Sequence, residues 1–311
     1  MSKYQTWFLL VICNLFWAGN YVFGKYVVAE MSPLWITFSR WAVASVILLT
    51  IAHFHEKPDW RAVLKQWPAL VVLGLLGFVG YNMVLYSALD YTSSTNAALV
   101  SALGPGMIAI FSLYMLKEKI SKIQVSGIGV SLIGVLAVLT GGNLTRVFQT
   151  AYNRGDLLML AAVLMWTLYS VMGKQLKEVP PITATAVSAF LSAIMMAPFA
   201  IVQGIDMGNI SSLAIIGILY MIIFPSVGSF VFWNMSVREI GATQAGIFLN
   251  LIPVFTALIS WILGEPVTAS QFGGGLLVFI GVYLTTGMLE RRLAAKRELE
   301  NQKTSRNQNK A

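Results

Sequence analysis

The chain has 311 residues, 57% of them hydrophobic and 11% charged, and a formal net charge of +8. A soluble domain carries about a quarter charged residues, so this composition excludes a globule bathed in water on every side. Charge-free windows lie at 4–24, 66–89, 91–116, 123–145, 157–173, 179–205, 207–237, 240–264 and 266–289, and a further run, 31–52, is interrupted only by Arg40. Each is near or above the roughly 20 residues a helix needs to cross a bilayer. The pattern predicts an all-α polytopic membrane protein with ten transmembrane helices.

The first window follows Met1-Ser2-Lys3 directly. It is longer and more aromatic than the apolar region of a signal peptide, and it reads as a span. Cys13, the sole cysteine, lies inside it, which leaves no internal disulfide. The window runs into "GNYVFGKY", Gly19 to Tyr26, a G-x-x-x-x-G-K pattern. A phosphate-cradling loop needs Ser or Thr after the lysine and a buried strand before the first glycine. Here Tyr26 follows the lysine and an apolar run precedes, so the match is accidental. Asn14, Trp17, Tyr21 and Lys25 fall at i, i+3, i+7 and i+11, one helical stripe.

In the second window Arg40 stands seven residues past Pro33, about 10 Å from the helix start. His53 and His55 follow in a loop without partners at metal spacing, and no metal or cofactor is expected. The third window offers Asn82, Tyr86 and Asp90 at fourfold spacing. The fourth brings Asn96 and the "GPG" around Pro105, and the chain then reaches Glu118; the fifth carries Gly127 and Gly134. The segment 143–154 contains "NLT", a chance sequon. The sixth window holds Trp166, Tyr169 and Ser170 and ends at Gly173-Lys174. The eighth holds Ser226, Ser229 and Trp233, the ninth Gln244, Asn250 and Pro253, and the tenth Gly274 and Gly281.

With the N-terminus in the cytoplasm and ten alternating spans, cytoplasmic segments hold 17 of the 21 lysines and arginines, and the opposite face keeps Lys25, Arg146 and Arg154. Positive charge resists export across the membrane, so both termini are expected inside. The net charge is thereby accounted for without nucleic acid. The tail 291–311 reads as a basic cytoplasmic segment that touches anionic headgroups.

The two ends of the chain echo each other. Trp17, Gly24 and Lys25 recur as Trp166, Gly173 and Lys174, displaced by 149. Thr95, Ala97 and Pro105 recur as Thr243, Ala245 and Pro253, displaced by 148. Leu116, Glu118, Gln124, Gly127 and Gly134 recur as Leu263, Glu265, Gln271, Gly274 and Gly281, displaced by 147. The chain therefore divides into halves 1–142 and 155–290, each of five spans. An odd number of spans enters the membrane upside down in the second copy. Inverted repeats of this kind build secondary transporters, whose halves meet near the midplane and rock to expose a central site alternately.

The paired Trp…Gly-Lys ends, the "ALDYT" entry to span 4, the mid-span prolines, the L-x-E turns and the Gln…Gly…Gly-Val of spans 5 and 10 resemble the EamA-type branch of the drug/metabolite transporter superfamily. The resemblance covers 5–289. It implies ten helices in two inverted five-helix halves and the movement, often outward, of small metabolites.

Polar groups within a bilayer are costly unless they face protein, water or ligand. The substrate-binding candidates are accordingly Asn14, Trp17, Tyr21, Arg40, Asn82, Tyr86, Asn96, Trp166, Tyr169, Ser229, Trp233, Gln244 and Asn250. Their structural alternative is interhelical hydrogen bonding for the amides and interfacial belts for the aromatics. Lys25, Pro105, Lys174 and Pro253 are the candidates for gating and helix kinks. Arg40 either snorkels outward, toward Glu30 or Glu265, or binds a substrate carboxylate or phosphate as a planar fork. Glu118 and Glu265 read as helix-end anchors, with gating as the other reading. The paired glycines of spans 5 and 10 suit close helix packing.

Three functions follow in order. The first is a secondary exporter of small zwitterionic, anionic or neutral metabolites, amino acids among them, in the plasma membrane. The second is efflux of aromatic or cationic drugs by the same fold. The third is a scaffold or receptor without transport. Catalytic residues are not found: paired carboxylates, metal-spaced ligands and an activated nucleophile are missing, so no enzyme is expected. The expected partners are a small-molecule substrate and the lipid bilayer, with monomer and homodimer both open.

Overall fold

The computed structural model describes residues 2–89, 91–92, 94–149, 153–204, 210–264, 267–290 and 293, leaving aside the side chains of Lys25, Leu89 and 94–96. Nine helices among them are long and apolar enough to cross a membrane: α1 Lys3–Val28, α2 Pro33–Glu56, α3 Trp67–Ala88, α4 Ala97–Met115, α5 Lys122–Thr140, α6 Arg154–Gln175, α7 Pro181–Gln203, α8 Ser212–Ile240 and α9 Ala242–Ile262. A tenth apolar helix, α10 Ala269–Thr285, has 17 residues, the lower end of the spanning range. The protein is an all-α polytopic membrane protein. The tail 291–311, apart from Leu293, lies outside the described residues.

Local chemistry sets where these helices begin. Ser121 with Gln124 opens α5 and Thr268 with Gln271 opens α10, each a reciprocal pair of side-chain-to-backbone hydrogen bonds. The two boxes stand 147 residues apart, at the displacement of the glycine echo. Asn153 and Asp156 cap α6 in the same way. Glycines in the left-handed region end α5 at Gly141, φ 62°, and α7 at Gly204, φ 68°. The two helices that carry the repeat-paired prolines, Pro105 and Pro253, are interrupted just before them. A turn at 102–103 precedes Pro105, and a 3₁₀ segment, Ile247–Asn250, precedes Pro253.

The main packing partnerships all join the first five helices to the last five. α2 lies along α7 and α5 along α10, while α1 packs on α8 and α9, and α6 packs on α3 and α4. Exchanging the halves maps this set onto itself. The crossing of α5 and α10 shows the relation at atomic scale. A Cβ on Gly127 would stand 2.8 Å from the carbonyl oxygen of Gly281, and one on Gly134 would stand 2.6 Å from that of Gly274. Each glycine thus faces the repeat mate of the other, on helices running in opposite directions. That is the exchange of partners a two-fold axis between them imposes.

Carboxylates repeat the relation at the two ends of the bundle. Glu30, between α1 and α2, accepts the N–H and hydroxyl of Ser211, the residue capping α8, at 2.6 and 2.8 Å. Glu178, between α6 and α7, accepts from Gln66, at the cap position of the α3 helix, at 2.5 Å. Both follow the preference for negative charge at a helix N-terminus. Glu56 does the same for α7, taking the N–H groups of Ile182 and Thr183 at 2.9 and 2.7 Å.

Candidate functional site

The two tryptophans of the 149-residue echo touch. The rings of Trp17 on α1 and Trp166 on α6 meet edge to face, centroids 5.3 Å apart. Phe78 on α3 and Phe230 on α8 lie 5.1 Å apart. Trp233 packs on Trp17 at 5.6 Å, and Tyr81 on Trp166 at 5.3 Å. With Trp41 and Tyr169 these rings form a buried aromatic block between the halves. Its partners arise from a second echo, "FVGYN" at 78–82 and "FVFWN" at 230–234. That echo is displaced by 152, so an eye fixed on 147–149 passes over it.

On the Glu30 side of the block the bundle holds hydroxyls and one charge. Arg40, 4% exposed, donates from Nε and Nη2 to the Ser226 hydroxyl at 3.1 and 3.0 Å. The phenol of Tyr86 lies beside the guanidinium and that of Tyr81 within its electrostatic reach, while Tyr21 meets Tyr81. Tyr21 is 47% exposed, and its phenol turns toward that of Tyr81, so its open face adjoins this group of phenols and guanidinium. The Trp166 indole N–H, whose ring packs on Tyr81, and the amide oxygen of Asn20, on the helix that carries Tyr21, are buried without a hydrogen-bond partner among the described residues. Such groups suit a ligand or water.

On the Glu118 side the bundle is shut. Asn234 donates to the Tyr169 hydroxyl at 2.7 Å and to Thr185 at 2.8 Å. Arg238 donates to the carbonyl of Val179 at 2.5 Å. These residues enclose a space of only about 10 Å³, barely one water. Further out, Glu118 pairs with Lys174 and accepts the N–H groups of Ala242 and Thr243 at 3.1 and 3.3 Å. Burial alone would raise the Glu118 carboxyl, but Lys174 and the Thr243 hydrogen bonds outweigh it and hold it below its ordinary value of 4.5. Beside this latch is a space of about 170 Å³ that also includes Lys119, Gln124 and Gln244.

Of the residues expected at a site from the sequence, Trp17, Tyr21, Arg40, Tyr86, Trp166, Tyr169 and Trp233 gather at and around the aromatic block. The amides behave differently. Asn14 donates to Leu10 O at 2.6 Å and Asn82 to Phe78 O at 2.8 Å, each one turn back. Asn250 bonds Ser131 at 2.8 Å across helices, and Ser229 bonds Cys13 O at 2.9 Å. Gln244 lines the 170 Å³ space. Arg40 has no pairing with Glu30, whose oxygens serve Ser211. The side chains of Lys25 and Asn96, and Asp90 and Glu265 altogether, lie outside the described residues. Gly19, of the accidental G-x-x-x-x-G-K, sits in mid-helix against the Tyr220 side chain, where a Cβ would collide. Sequence reasoning missed Trp41, Phe78, Tyr81, Phe230, Asn234 and Arg238; the second echo would have found four of them.

Known proteins agree with this architecture. A model of the EamA-like transporter family matches twice, over residues 5–140 and 153–287. An uncharacterized transporter of Bacillus subtilis, YyaM, is 30% identical over 93% of this chain and 96% of its own. The S-adenosylmethionine/S-adenosylhomocysteine transporter of Chlamydia trachomatis serovar L2 is 25% identical over 88% of this chain and 85% of its own. A crystal structure of 19% identity superposes with a TM-score of 0.79 over 92% of this chain and 98% of that one, and shares the fold. With both segments of the family model spanning nearly its whole length, the chain belongs to the EamA-like transporter family.

Proposed function

We propose that the protein is a secondary exporter of small metabolites, working by alternating access between two five-helix halves inserted in opposite orientations. One observation carries this reading. On one side of the aromatic block Arg40, Ser226, Tyr81, Tyr86 and the half-exposed Tyr21 form a polar cluster suited to a substrate cavity, while the Glu118–Lys174 latch and a 10 Å³ space close the other. The exchange symmetry of the helix contacts means that a two-fold-related rearrangement has the same partners available at the other face. The excess of lysine and arginine supports placing the Glu118 face and both termini in the cytoplasm of a plasma-membrane protein. The conformation is then outward-open. The candidate substrate contacts are Trp17, Tyr21, Arg40, Tyr86, Trp166 and Tyr169, with Asn20 and Tyr81 added. Amino acids and related zwitterionic or anionic compounds suit a cavity that holds a cation, whereas a cationic drug would be repelled by Arg40.

Growth of a deletion strain and an overexpressing strain across a panel of toxic amino acids and analogues tests the reading. Resistance to particular compounds on overexpression, matched by their faster efflux from preloaded cells, is expected. Unchanged growth and unchanged efflux across the panel would leave a scaffold as the better account.

A further inference from the structure

Two arginines sit on opposite sides of the aromatic block, and their positions are related by the repeat in a crossed way. At the displacement of 148 that relates Pro33 to Pro181, Arg40 corresponds to Ser188. At the displacement of 152 that relates Phe78 to Phe230, Tyr86 corresponds to Arg238. Arg40 and Tyr86 adjoin on the Glu30 side. Ser188 and Arg238 line one small space on the Glu118 side. Each half-site therefore has one guanidinium and one hydroxyl at the same pair of positions, with the two exchanged.

From this relation we infer that Arg40 and Arg238 are alternate binding stations for the carboxylate of the transported solute. Arg40 would serve when the cavity opens on the Glu30 face, and Arg238 when it opens on the Glu118 face. The inference rests on the transport reading and gives that site its substrate class.

The electrostatics of the two stations differ as an alternating pair requires. Arg40 is buried, and its bonded neighbour is a neutral hydroxyl. Among the described residues no carboxylate pairs with it. A buried guanidinium facing only neutral groups is costly, and an entering anion removes that cost. Arg238 is occupied instead: it holds the Val179 carbonyl and senses the Glu56 carboxylate, which caps α7. Separating α7 from α8 at that end would break those contacts and free the fork. One guanidinium balances one negative charge, which fits a carboxylate and leaves a phosphate dianion under-compensated. Tyr86 and Tyr81 adjoin the Arg40 station, and Tyr21 and Trp166 pack beside Tyr81, so aromatic faces for a planar or apolar body lie next to the guanidinium.

The test uses the full-length protein in detergent and in vesicles. Phenylalanine, benzoate and lactate are each compared with the corresponding uncharged amide or, for phenylalanine, with phenylalaninamide, by ligand-induced thermal stabilisation. At least one acid should stabilise the wild type at tenfold lower concentration than its amide, and Arg40→Gln should abolish the difference. Arg40→Lys, which keeps the charge without the fork, guards against misfolding and should retain only part of it. For the acid that binds, uptake into vesicles of each orientation should show half-saturation raised about tenfold by Arg40→Gln from the Glu30 face and by Arg238→Gln from the Glu118 face. Acids binding no better than amides, or variants acting equally from both faces, overturn the stations. A neutral or cationic solute carried equally well by Arg40→Gln would do the same and leave transport standing. Acids that bind through Arg40 yet never cross the bilayer would instead overturn the transport reading and leave the binding site.

Discussion

Glu118, in the loop after α4, is paired with Lys174 at the end of α6, and the same carboxylate takes the first N–H groups of α9. One side chain thus ties the first half to two helices of the second. A hydrogen bond to a charged group contributes about 1.5–3 kcal/mol. Glu118→Gln should weaken closure of that face on the order of tenfold. A reporter cysteine at Ala184, now 5% exposed, would read this by its labelling with a membrane-impermeant maleimide, and native Cys13 is buried and gives a low background. Labelling unchanged by Glu118→Gln would mean that the latch does not hold the face shut.

The same carboxyl makes closure sensitive to pH. Its proton affinity is lower when the latch is closed than the ordinary value of 4.5. A carboxyl with a depressed value contributes its stabilisation fully above the ordinary value, and loses it as pH falls through the depressed one. Labelling of the Ala184 reporter, taken at each pH as a ratio to that in the Glu118→Gln background so that the loss of thiolate cancels, should therefore stay low from pH 7 down to about 4.5 and rise toward one below that value. A ratio that is constant across the range removes Glu118 as the titrating group.

Close packing of α5 on α10 gives a stability prediction with an internal control. A Cβ at Gly127 would meet Thr285 Oγ1 at 2.5 Å and Gly281 O at 2.8 Å, whereas one at Gly129 meets nothing within 4 Å. Gly127→Ala should cost about 1–3 kcal/mol, the range for overpacking a filled interface. Gly129→Ala, two residues along the same helix, should be neutral or stabilising, by up to about 1 kcal/mol from helix propensity. Thermal unfolding of the two variants side by side checks the difference. Equal effects would mean that the crossing is looser than the contacts imply.

Helix number, the pairing of halves and the glycine crossing were legible in the sequence because each leaves a linear trace: uncharged length, repeated identities and seven-residue glycine spacing. The site was legible only in part. Trp17 and Trp166 declared themselves through their echo, but an amide on a helix does not reveal whether it faces a cavity. Asn14 and Asn82 meet their own backbone one turn back, an outlet available to any asparagine in a span. Arg238 was hidden for another reason. It sits at the end of a charge-free window, where arginine is ordinarily an interfacial anchor, and only the fold brings it, on α8, within electrostatic reach of Tyr169 on α6 and Glu56 at the end of α2. The masking of the Phe78–Phe230 relation came from a shift in spacing. The stretch from span 1 to span 3 is a few residues shorter in the first half than its counterpart in the second.

The candidate aromatics can be split into cavity and core by experiment. Trp233 is fully buried, touches Trp17 and Trp166, and donates its indole N–H to Ser170 at 3.2 Å. Trp233→Ala should cost about 3–5 kcal/mol, the range for deleting a buried aromatic, and reduce the amount of folded protein. Tyr21 is only half buried and bonds Tyr81, and Tyr21→Ala should cost far less, about 1 kcal/mol for one lost hydrogen bond. Its effect should fall on solute handling, with half-saturation raised by roughly tenfold, the equivalent of about 1.4 kcal/mol. Thermal unfolding separates the two variants, and efflux from preloaded vesicles assigns the second. Were Tyr21→Ala to unfold as readily as Trp233→Ala with solute handling unchanged, Tyr21 would be a packing residue and no wall of the substrate cavity.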